Sequence, residues 1–261
     1  MSVTIDPRAI VSPTAELGSD VTVGPFTIIE DNVVVGKGTK IASNALLAKG
    51  TRVGEDCRIH HGAVLGTVPQ DLKFHGEETL LEVGNFTTIR EYCTLNRGTM
   101  ASGKTSVGNH CFIMAYTHVA HDCVVGSHVI LANSVNMAGH VHIEDHVVIG
   151  GIVPIHQFTK IGRHAMIGGG YRVSKDVPPY VLAGHDPLAY EGLNSVGLRR
   201  RNFSVEVIRT IEQAYDFLYH KGMNVSQGVE AIQNQMQMTE EVRHIVEFIK
   251  SSKRGIIPAM R

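Results

Sequence analysis

Two adjacent side chains, His121 and Asp122, have the types that acid–base chemistry needs. A neutral imidazole near pH 7 is a natural general base for taking the proton of a hydroxyl group. A neighbouring carboxylate can hold the imidazole in one tautomer and stabilise its protonated form. The pair Gly139-His140 follows eighteen residues later, and three further polar residues lie at related spacings, namely His118, His156 and Gln157. If the chain repeats every eighteen residues, these side chains converge on one patch. The alternative is a solvated, histidine-rich face.

A second group of histidines shares the eighteen-residue spacing. Nine of the 15 histidines lie between positions 110 and 164, and four of them form a regular series: His110, His128, His146 and His164. On stacked coils they would form a column with a spacing of about 4.8 Å. This column is either a metal ladder or a repeated polar surface position. We favour the surface position because no carboxylate or cysteine accompanies the column at metal-ligand spacing.

The element that must position these side chains is visible as a six-residue period. Of the 29 positions reached in steps of six from Ile5 to Val173, 26 carry Ile, Leu, Val or Met. The exceptions are Asp71, Glu77 and Ala101. Small or β-branched residues precede the aliphatic position by two, so both side chains face the same side of a strand. Three six-residue sides would close a triangular coil, and stacked coils form a parallel β-helix.

Composition fits such a narrow core. The 261 residues contain 27 Gly and no Trp, and only 6% are aromatic. Eleven of the glycines directly follow the repeated aliphatic residue, where we expect Gly to tolerate positive φ and to leave room at a corner. The cysteines all occupy the small inward slot, so we predict buried packing side chains rather than redox or metal roles: Cys57, Cys93, Cys111 and Cys123.

Breaks in the period divide the chain. Residues 66–82 and 97–106 are predicted to be loops that project from the coils, and loops on a rigid scaffold commonly carry function. We predict a β-helical domain over 1–183 and a helical domain over 184–261. Helices are expected at 205–221, 226–237 and 240–252, with Ser204 and Thr239 leading the first and the third and Gly222 ending the first.

Charge and hydropathy exclude several classes of protein. The formal net charge is −1, which provides no overall attraction to nucleic acid or to an anionic membrane. No apolar run approaches the roughly 20 residues of a membrane-spanning helix. The first residues lack the layout of a signal peptide, so we expect a cytoplasmic protein.

Six motifs in this order resemble one family over essentially the whole chain: Pro69–Phe74, His118–Cys123, Ala138–His140, Val153–Phe158, Asp176–Val181 and Gly197–Arg201. The chain is similar to the UDP-N-acetylglucosamine O-acyltransferases, hexapeptide-repeat enzymes that carry out the first step of lipid A biosynthesis. The resemblance implies a left-handed β-helix, a homotrimer, and transfer of a 3-hydroxyacyl chain from acyl carrier protein to the glucosamine 3-hydroxyl of UDP-N-acetylglucosamine. It implies no metal or other cofactor, since the donor thioester is already activated.

The resemblance also implies roles for individual residues. His121 would be the general base, Asp122 would orient or polarise it, and the Gly139 N–H would serve the oxyanion hole. Gly169 would fall at the position that limits acyl-chain length. The remaining residues would contact substrate: Asp71, Lys73, His118, His140, His156 and Gln157 would line the site, and Asn194, Arg200 and Arg201 would bind the UDP part.

Two departures and several alternatives stay open. Val196 stands where the family commonly has Glu, which affects the nucleotide contact, and Tyr171 is a bulky residue beside Gly169, so the acyl length does not follow from Gly169 alone. The alternatives are an acyltransferase acting on a 3-amino sugar nucleotide, a trimeric zinc-dependent carbonic anhydrase, and a scaffold subunit without catalysis. The later N-acyltransferase of the pathway is disfavoured, because its extra N-terminal domain has no counterpart before Ile5.

Overall fold

The structure, a computed structural model, describes residues 2–260. From β1 to β25, short strands follow one another around three sheets in turn, so that every third strand belongs to the same sheet. The first sheet contains β1 (Thr4–Ile5), β4 (Thr22–Val23), β7 (Lys40–Ile41), β10 (Arg58–Ile59), β13 (Thr88–Ile89), β16 (Phe112–Ile113), β19 (Ile130–Leu131), β22 (Val148–Ile149), β25 (Met166–Ile167), β26 (Val181–Gly184) and β27 (Ala189–Leu193).

The second sheet contains β2 (Ile10–Val11), β5 (Ile28–Ile29), β8 (Leu46–Leu47), β11 (Val64–Thr67), β14 (Thr94–Asn96), β17 (His118–Val119), β20 (Asn136–Met137) and β23 (Pro154–Ile155). The third sheet contains β3 (Glu16–Leu17), β6 (Val34–Val35), β9 (Thr51–Val53), β12 (Leu80–Val83), β15 (Lys104–Val107), β18 (Val124–Val125), β21 (His142–Ile143) and β24 (Lys160–Ile161). All strand pairs are parallel except β26–β27.

These sheets are the three sides of a parallel β-helix, as the periodicity predicts, and the helix is left-handed, as the resemblance implies. Residues eighteen apart pair in register, for example Phe112 with Ile130 and His118 with Asn136. We call the turn between the first and second sheets the first corner, that between the second and third sheets the second corner, and that between the third and first sheets the third corner.

The core is the inside of the triangular coil. Every repeated aliphatic residue of the strands and bridge from Val23 to Val173 is buried. The four cysteines are buried beside them as predicted, and none is disulfide-bonded. Burial raises the pKa of the Cys123 thiol to about 12, so this side chain packs as a neutral group.

Of the two reasons expected for glycine after the aliphatic residue, room at a corner is confirmed and positive φ is wrong for all but one of these glycines. Of the eleven glycines at that position, only Gly66 has positive φ, and positive φ falls instead on the residue three places after the aliphatic one, such as Asp122 and His140. A Cβ on Gly108 would lie 2.6 Å from the backbone carbon of Gly126 in the next coil. Close approach of backbones, which only Gly permits, therefore explains these residues. Seven of them line the third corner, namely Gly18, Gly36, Gly54, Gly84, Gly108, Gly126 and Gly162.

Both predicted loops exist, but strands occupy their ends. The first runs over 68–79 rather than 66–82 and the second over 97–103 rather than 97–106, because β11, β12 and β15 are longer than the usual two residues. β12 and β15 pair over four residues, from Leu80 with Lys104 to Val83 with Val107. Both loops interrupt the coil at the second corner, since each joins a strand of the second sheet to one of the third.

The C-terminal part is helical, with α1 (Ser195–Arg200), α2 (Val205–Tyr219), α3 (Val225–Gln235) and α4 (Glu240–Ser251). Ser204 and Thr239 cap α2 and α4 as predicted, whereas the short α1 was not expected. Among residues 2–260, no helix is long and apolar enough to cross a membrane. The domain boundary at 183/184 stays a prediction, since β27 lies beyond it and still belongs to the first sheet.

Candidate active site

The second corner gathers most of the predicted site residues along one edge of the prism. His121 and Asp122 turn the chain from β17 into β18, and Gly139 and His140 turn it one coil further from β20 into β21. Both loops project from the same edge one and two coils earlier. Two polar residues follow on the next coil, namely His156 and Gln157.

His121 and Asp122 form a close ion pair at the centre of this edge. Nδ1 of His121 lies 2.7 Å from Oδ2 of Asp122, and the Asp122 side chain is fully buried. The positive φ of Asp122 (59°) turns its carboxylate back toward the histidine that precedes it. The Asp122 N–H donates to Oγ1 of buried Thr105 at 2.8 Å, which fixes the turn from the inside.

The second loop supplies further donors to the Asp122 carboxylate. Thr99 donates its N–H to Oδ1 at 2.9 Å and its hydroxyl to Oδ2 at 2.7 Å, and Ser102 donates its hydroxyl to Oδ1. Burial alone would raise the pKa of Asp122, but the hydrogen bonds from Ser102, His121 and Thr99 outweigh it and lower the pKa to about 2. Asp122 is thus an ionised acceptor at any physiological pH.

Gly139 leaves room for the imidazole of His121. A Cβ at this position would lie 2.6 Å from Cε1 and 2.7 Å from Nε2 of His121. The ring therefore packs directly over the Gly139 backbone. Among residues 2–260 the Gly139 N–H has no hydrogen-bond acceptor, so it is free to donate outward.

The neighbouring histidines surround this pair unequally. His140 packs edge-on against His121 with ring centroids 5.2 Å apart, and its Nε2 lies 3.7 Å from Oδ2 of Asp122. Nδ1 of His118 lies 2.7 Å from Oγ1 of Thr94, and burial lowers the pKa of His118, so its neutral form is favoured. His156 turns its Nδ1 toward the carbonyl of Gln157 at 3.1 Å and lies partly exposed.

Asp71 and Lys73 lie in the first loop at the same edge. Oδ1 of Asp71 accepts the Lys73 N–H at 3.0 Å, so the pair forms a local turn. Leu72 between them is fully exposed, and the Lys73 side chain is exposed as well. Phe74 lies under the guanidinium of Arg97 at 5.5 Å, which joins the two loops.

The remaining predicted residues lie on other edges of the same chain. Asn194 is buried beside the third corner, where it donates to the His164 carbonyl at 2.9 Å and accepts the Gly197 N–H to cap α1. Arg200 is exposed and Arg201 is partly buried after this cap, and burial lowers the pKa of Arg201. Gly169 is exposed at the first corner, across the second sheet from His121.

The histidine column exists at the third corner, and it is a stack. Successive rings of His110, His128, His146 and His164 lie 4.6 to 4.9 Å apart with planes within 10° of parallel. Phe86 continues the stack at one end and Tyr180 at the other. The surface interpretation is wrong for His164, which is buried because Phe203 packs edge-on against it. Parallel rings carry their ring nitrogens in separate planes, which does not favour a metal ladder.

Within residues 2–260, one group of side chains could hold a metal by geometry alone. His121, Asp122 and His140 offer ligand atoms within 4.8 Å of one another. The hydrogen bonds described above already engage both oxygens of Asp122 and Nδ1 of His121, which accounts for the arrangement without an ion.

Sequence reasoning missed Thr99 and Ser102. The six-residue register is broken over 97–103, so nothing in the period assigns these residues a place. Two hydroxyl side chains in an inserted segment next to the edge of His121 were the available signal.

Family models match two parts of the chain. The model described as Udp N-acetylglucosamine O-acyltransferase, Domain 2, matches residues 176–257. The model described as bacterial transferase hexapeptide (six repeats) matches residues 32–67 and 104–139. The match over 104–139 covers the coils that carry His121, Asp122 and Gly139.

Named relatives cover nearly the whole chain. An acyl-[acyl-carrier-protein]–UDP-N-acetylglucosamine O-acyltransferase of Chlorobaculum parvum is 59% identical over 96% of this chain and 96% of its own, and one of Sulfurihydrogenibium sp. is 57% identical over 98% and 95%. The crystal structure of a UDP-N-acetylglucosamine acyltransferase from Bacteroides fragilis is 45% identical, has a TM-score of 0.94, and covers 97% of this chain and 99% of its own. These relatives support the acyltransferase interpretation and not the carbonic anhydrase. The chain belongs to the UDP-N-acetylglucosamine O-acyltransferase family.

Proposed function

We propose that this chain transfers a 3-hydroxyacyl group from acyl carrier protein to the 3-hydroxyl of the glucosamine in UDP-N-acetylglucosamine, as the first step of lipid A biosynthesis. The observation that carries the proposal is the His121–Asp122 pair, joined at 2.7 Å beside two projecting loops in a member of this family. The names of the relatives supply the substrate classes. A cytoplasmic location is part of the proposal.

His121 acts as the general base. Because Asp122 accepts from Nδ1, the neutral ring carries its proton there and presents Nε2 as the acceptor. Nε2 removes the proton of the sugar hydroxyl as its oxygen attacks the thioester carbon. The ionised Asp122 stabilises the imidazolium that forms, and the same proton then passes to the departing thiolate, so the base is regenerated.

The Gly139 N–H stabilises the oxygen of the tetrahedral intermediate. A fixed backbone donor aimed at developing negative charge needs no reorganisation during the reaction. The free N–H and the close packing of Gly139 against His121 support this role. The donor thioester is already activated, so the residues at this edge suffice for the chemistry without a cofactor.

Other residues bind substrate in this proposal. Those at the second corner and in the first loop contact the sugar and the acyl donor: Asp71, Lys73, His118, His140, His156 and Gln157. Asn194, Arg200 and Arg201 bind the UDP part, with arginine forks suited to phosphate oxygens. Both ends of the Asn194 amide also make hydrogen bonds within the chain, to the His164 carbonyl and from the Gly197 N–H. Gly169 limits the length of the acyl chain.

A homotrimer completes the site. The proposed residues lie at three different corners of one prism, and the width of a coil separates them. A threefold arrangement would set the second corner of one copy against other edges of its neighbour. The distribution of the residues over the corners therefore supports a site shared between subunits.

The direct test is an acyl-transfer assay. The purified protein is supplied with UDP-N-acetylglucosamine and a panel of 3-hydroxyacyl carrier proteins of different chain length, and the product is identified by mass spectrometry and NMR. We expect a 3-O-acyl product with one preferred chain length. A matched acceptor with a 3-amino group separates the main proposal from its alternative. If only this acceptor is acylated, at its nitrogen, the alternative is correct and UDP-N-acetylglucosamine is not the acceptor. Turnover of carbon dioxide dependent on stoichiometric zinc would instead indicate a carbonic anhydrase.

A further inference from the structure

The Asp122 carboxylate has four donors, two on each oxygen. Oδ1 accepts from the Thr99 N–H and the Ser102 hydroxyl, and Oδ2 accepts from the Thr99 hydroxyl and His121 Nδ1. Three of the four donors thus come from the second loop and only one from the proposed base. The Ser102 hydroxyl also lies 2.8 Å from the Lys104 carbonyl, but the charged carboxylate is the stronger acceptor.

The loop that supplies these donors is closed on itself. The Gly103 N–H donates to the Thr99 carbonyl at 2.8 Å, and the Ala101 N–H donates to the Thr99 hydroxyl at 3.2 Å. The latter contact leaves the Thr99 hydroxyl hydrogen directed at Asp122. At the neck, a Cβ on Gly98 would lie 2.4 Å from the Lys104 nitrogen, so the two ends of the loop touch.

Two imidazoles compete for the same carboxylate. Nδ1 of His121 is 2.7 Å from Oδ2, whereas Nε2 of His140 is 3.7 Å from that oxygen, beyond hydrogen-bond distance. A small rotation of the Asp122 side chain would shorten the second distance and lengthen the first. The Thr99 hydroxyl on Oδ2 and the Ser102 hydroxyl on Oδ1 oppose that rotation from both oxygens.

The coil does not need this loop in order to close. Two coils later the chain turns from β20 into β21 at the same corner without an insertion. The hydroxyls of the loop therefore serve the carboxylate, and the turn itself does not depend on them.

We propose that Thr99 and Ser102 are positioning residues that hold Asp122 on His121 and away from His140, and so determine which histidine becomes the base. The inference rests on the proposed function, since it concerns the same reaction. Without the two hydroxyls, Asp122 divides its hydrogen bonding between His121 and His140, and His121 loses its fixed Nδ1–H tautomer.

The test compares Ser102→Ala, Thr99→Val and the double variant with the conservative Ser102→Thr and Thr99→Ser. We expect kcat to fall about tenfold in each hydroxyl deletion and about a hundredfold in the double variant, with KM nearly unchanged. The conservative variants should recover most of the activity. Ser127→Ala is the matched control, because it removes a serine hydroxyl that accepts a backbone N–H from Asn109, as the Thr99 hydroxyl accepts that of Ala101, but at the third corner.

A spectroscopic measurement separates positioning from general damage and needs no turnover. In protein labelled with ¹⁵N-histidine, we expect His121 to be the Nδ1–H tautomer in the wild type and a mixture in the double variant, with a matching change at His140. The proposal is wrong if the double variant keeps both the wild-type tautomer and the wild-type kcat. It is equally wrong if kcat falls while the tautomers stay fixed. Failure of the proposed function looks different, because the wild type itself would then yield no 3-O-acyl product.

Discussion

His121 and Asp122 differ from the other His–carboxylate pairs of the chain in the enclosure of the carboxylate. The Asp122 side chain is fully buried, whereas that of Asp216, which pairs with His220 at 3.0 Å, is 47% exposed. An exposed pair is screened by water and contributes little, while a buried one polarises its partner strongly. The two pairs have similar residues at similar distances, but only the buried carboxylate of Asp122 can polarise its histidine strongly.

Replacing His121 tests its role as base. In His121→Ala we expect kcat to fall about 10² to 10⁴-fold, because the variant lacks Nε2, the atom that accepts the proton of the sugar hydroxyl in the proposed mechanism. The thermal unfolding midpoint should change little, since the ring packs over Gly139 at the surface of the coil. His220→Ala is the matched control and should retain full turnover. Near-normal kcat in His121→Ala would contradict the mechanism.

The buried end of the histidine stack has a consequence for acid stability. Burial, followed by the nearby charges of His146, Arg201 and Arg163, lowers the pKa of His164 to about 3, with Asp145 opposing. Between pH 3 and 6.5 the unfolded chain binds a proton at this residue and the folded chain does not. Folding stability is therefore lost as pH falls below 6.5.

We predict that His164→Phe weakens this acid sensitivity. Phe preserves the stack and already occupies positive φ at equivalent corners such as Phe86. Between pH 7.5 and 5.5 the free energy of unfolding should fall by about 1.4 kcal/mol less in the variant than in the wild type. Urea unfolding at both pH values measures the difference. His110→Phe, at the exposed end of the stack, serves as the control, and an equal effect in both variants would refute the assignment.

At the scale of elements, periodicity accounts for much of what was predictable. The aliphatic register alone predicts β1–β25 and brings His121, Gly139 and Gln157 to one corner. It could not place Thr99 and Ser102, because a loop outside the register has no defined coil position. The short α1 was missed for a related reason, since its six residues are too few to show a helical period.

The glycine column at the third corner makes a stability prediction. In Gly108→Ala the new Cβ meets the Gly126 backbone at 2.6 Å, and backbone cannot move aside without parting two coils. We expect the free energy of unfolding to fall by about 1–3 kcal/mol. Gly151→Ala is the control, because its Cβ would meet one atom at 3.2 Å and the next only at 4.0 Å. Equal stability of the two variants in denaturant titrations would count against close approach as the cause.

At the scale of the whole molecule, the residues of the proposed site are spread over three corners of one chain. The proposed base lies at the second corner, the residues proposed to bind the UDP part lie beside the third corner, and Gly169 lies at the first corner. The sequence could assign these residues to one function only through the resemblance, since periodicity separates them onto different edges. The six-residue period does not encode contacts between copies of the chain, so the oligomeric state could not be predicted from it.

Oligomeric state tests the shared site. With a chain mass of 28.4 kDa, a trimer has a mass of about 85 kDa. We expect this species in native mass spectrometry and in sedimentation equilibrium at the concentrations used for the assay. Full activity in a monomeric sample would exclude a site shared between subunits.

The stacking of coils has one further consequence, which concerns how disturbance spreads. Within the three sheets each coil pairs only with the coil before and the coil after it, so the stability of the prism is approximately a sum of neighbour terms along its axis. A destabilising mutation near β1 therefore weakens one end of the β-helix and leaves the geometry around Asp122, five coils away, nearly intact. The chemistry is protected by distance along the axis, and the tolerance of the chain to mutation should rise with the number of coils between the mutation and His121.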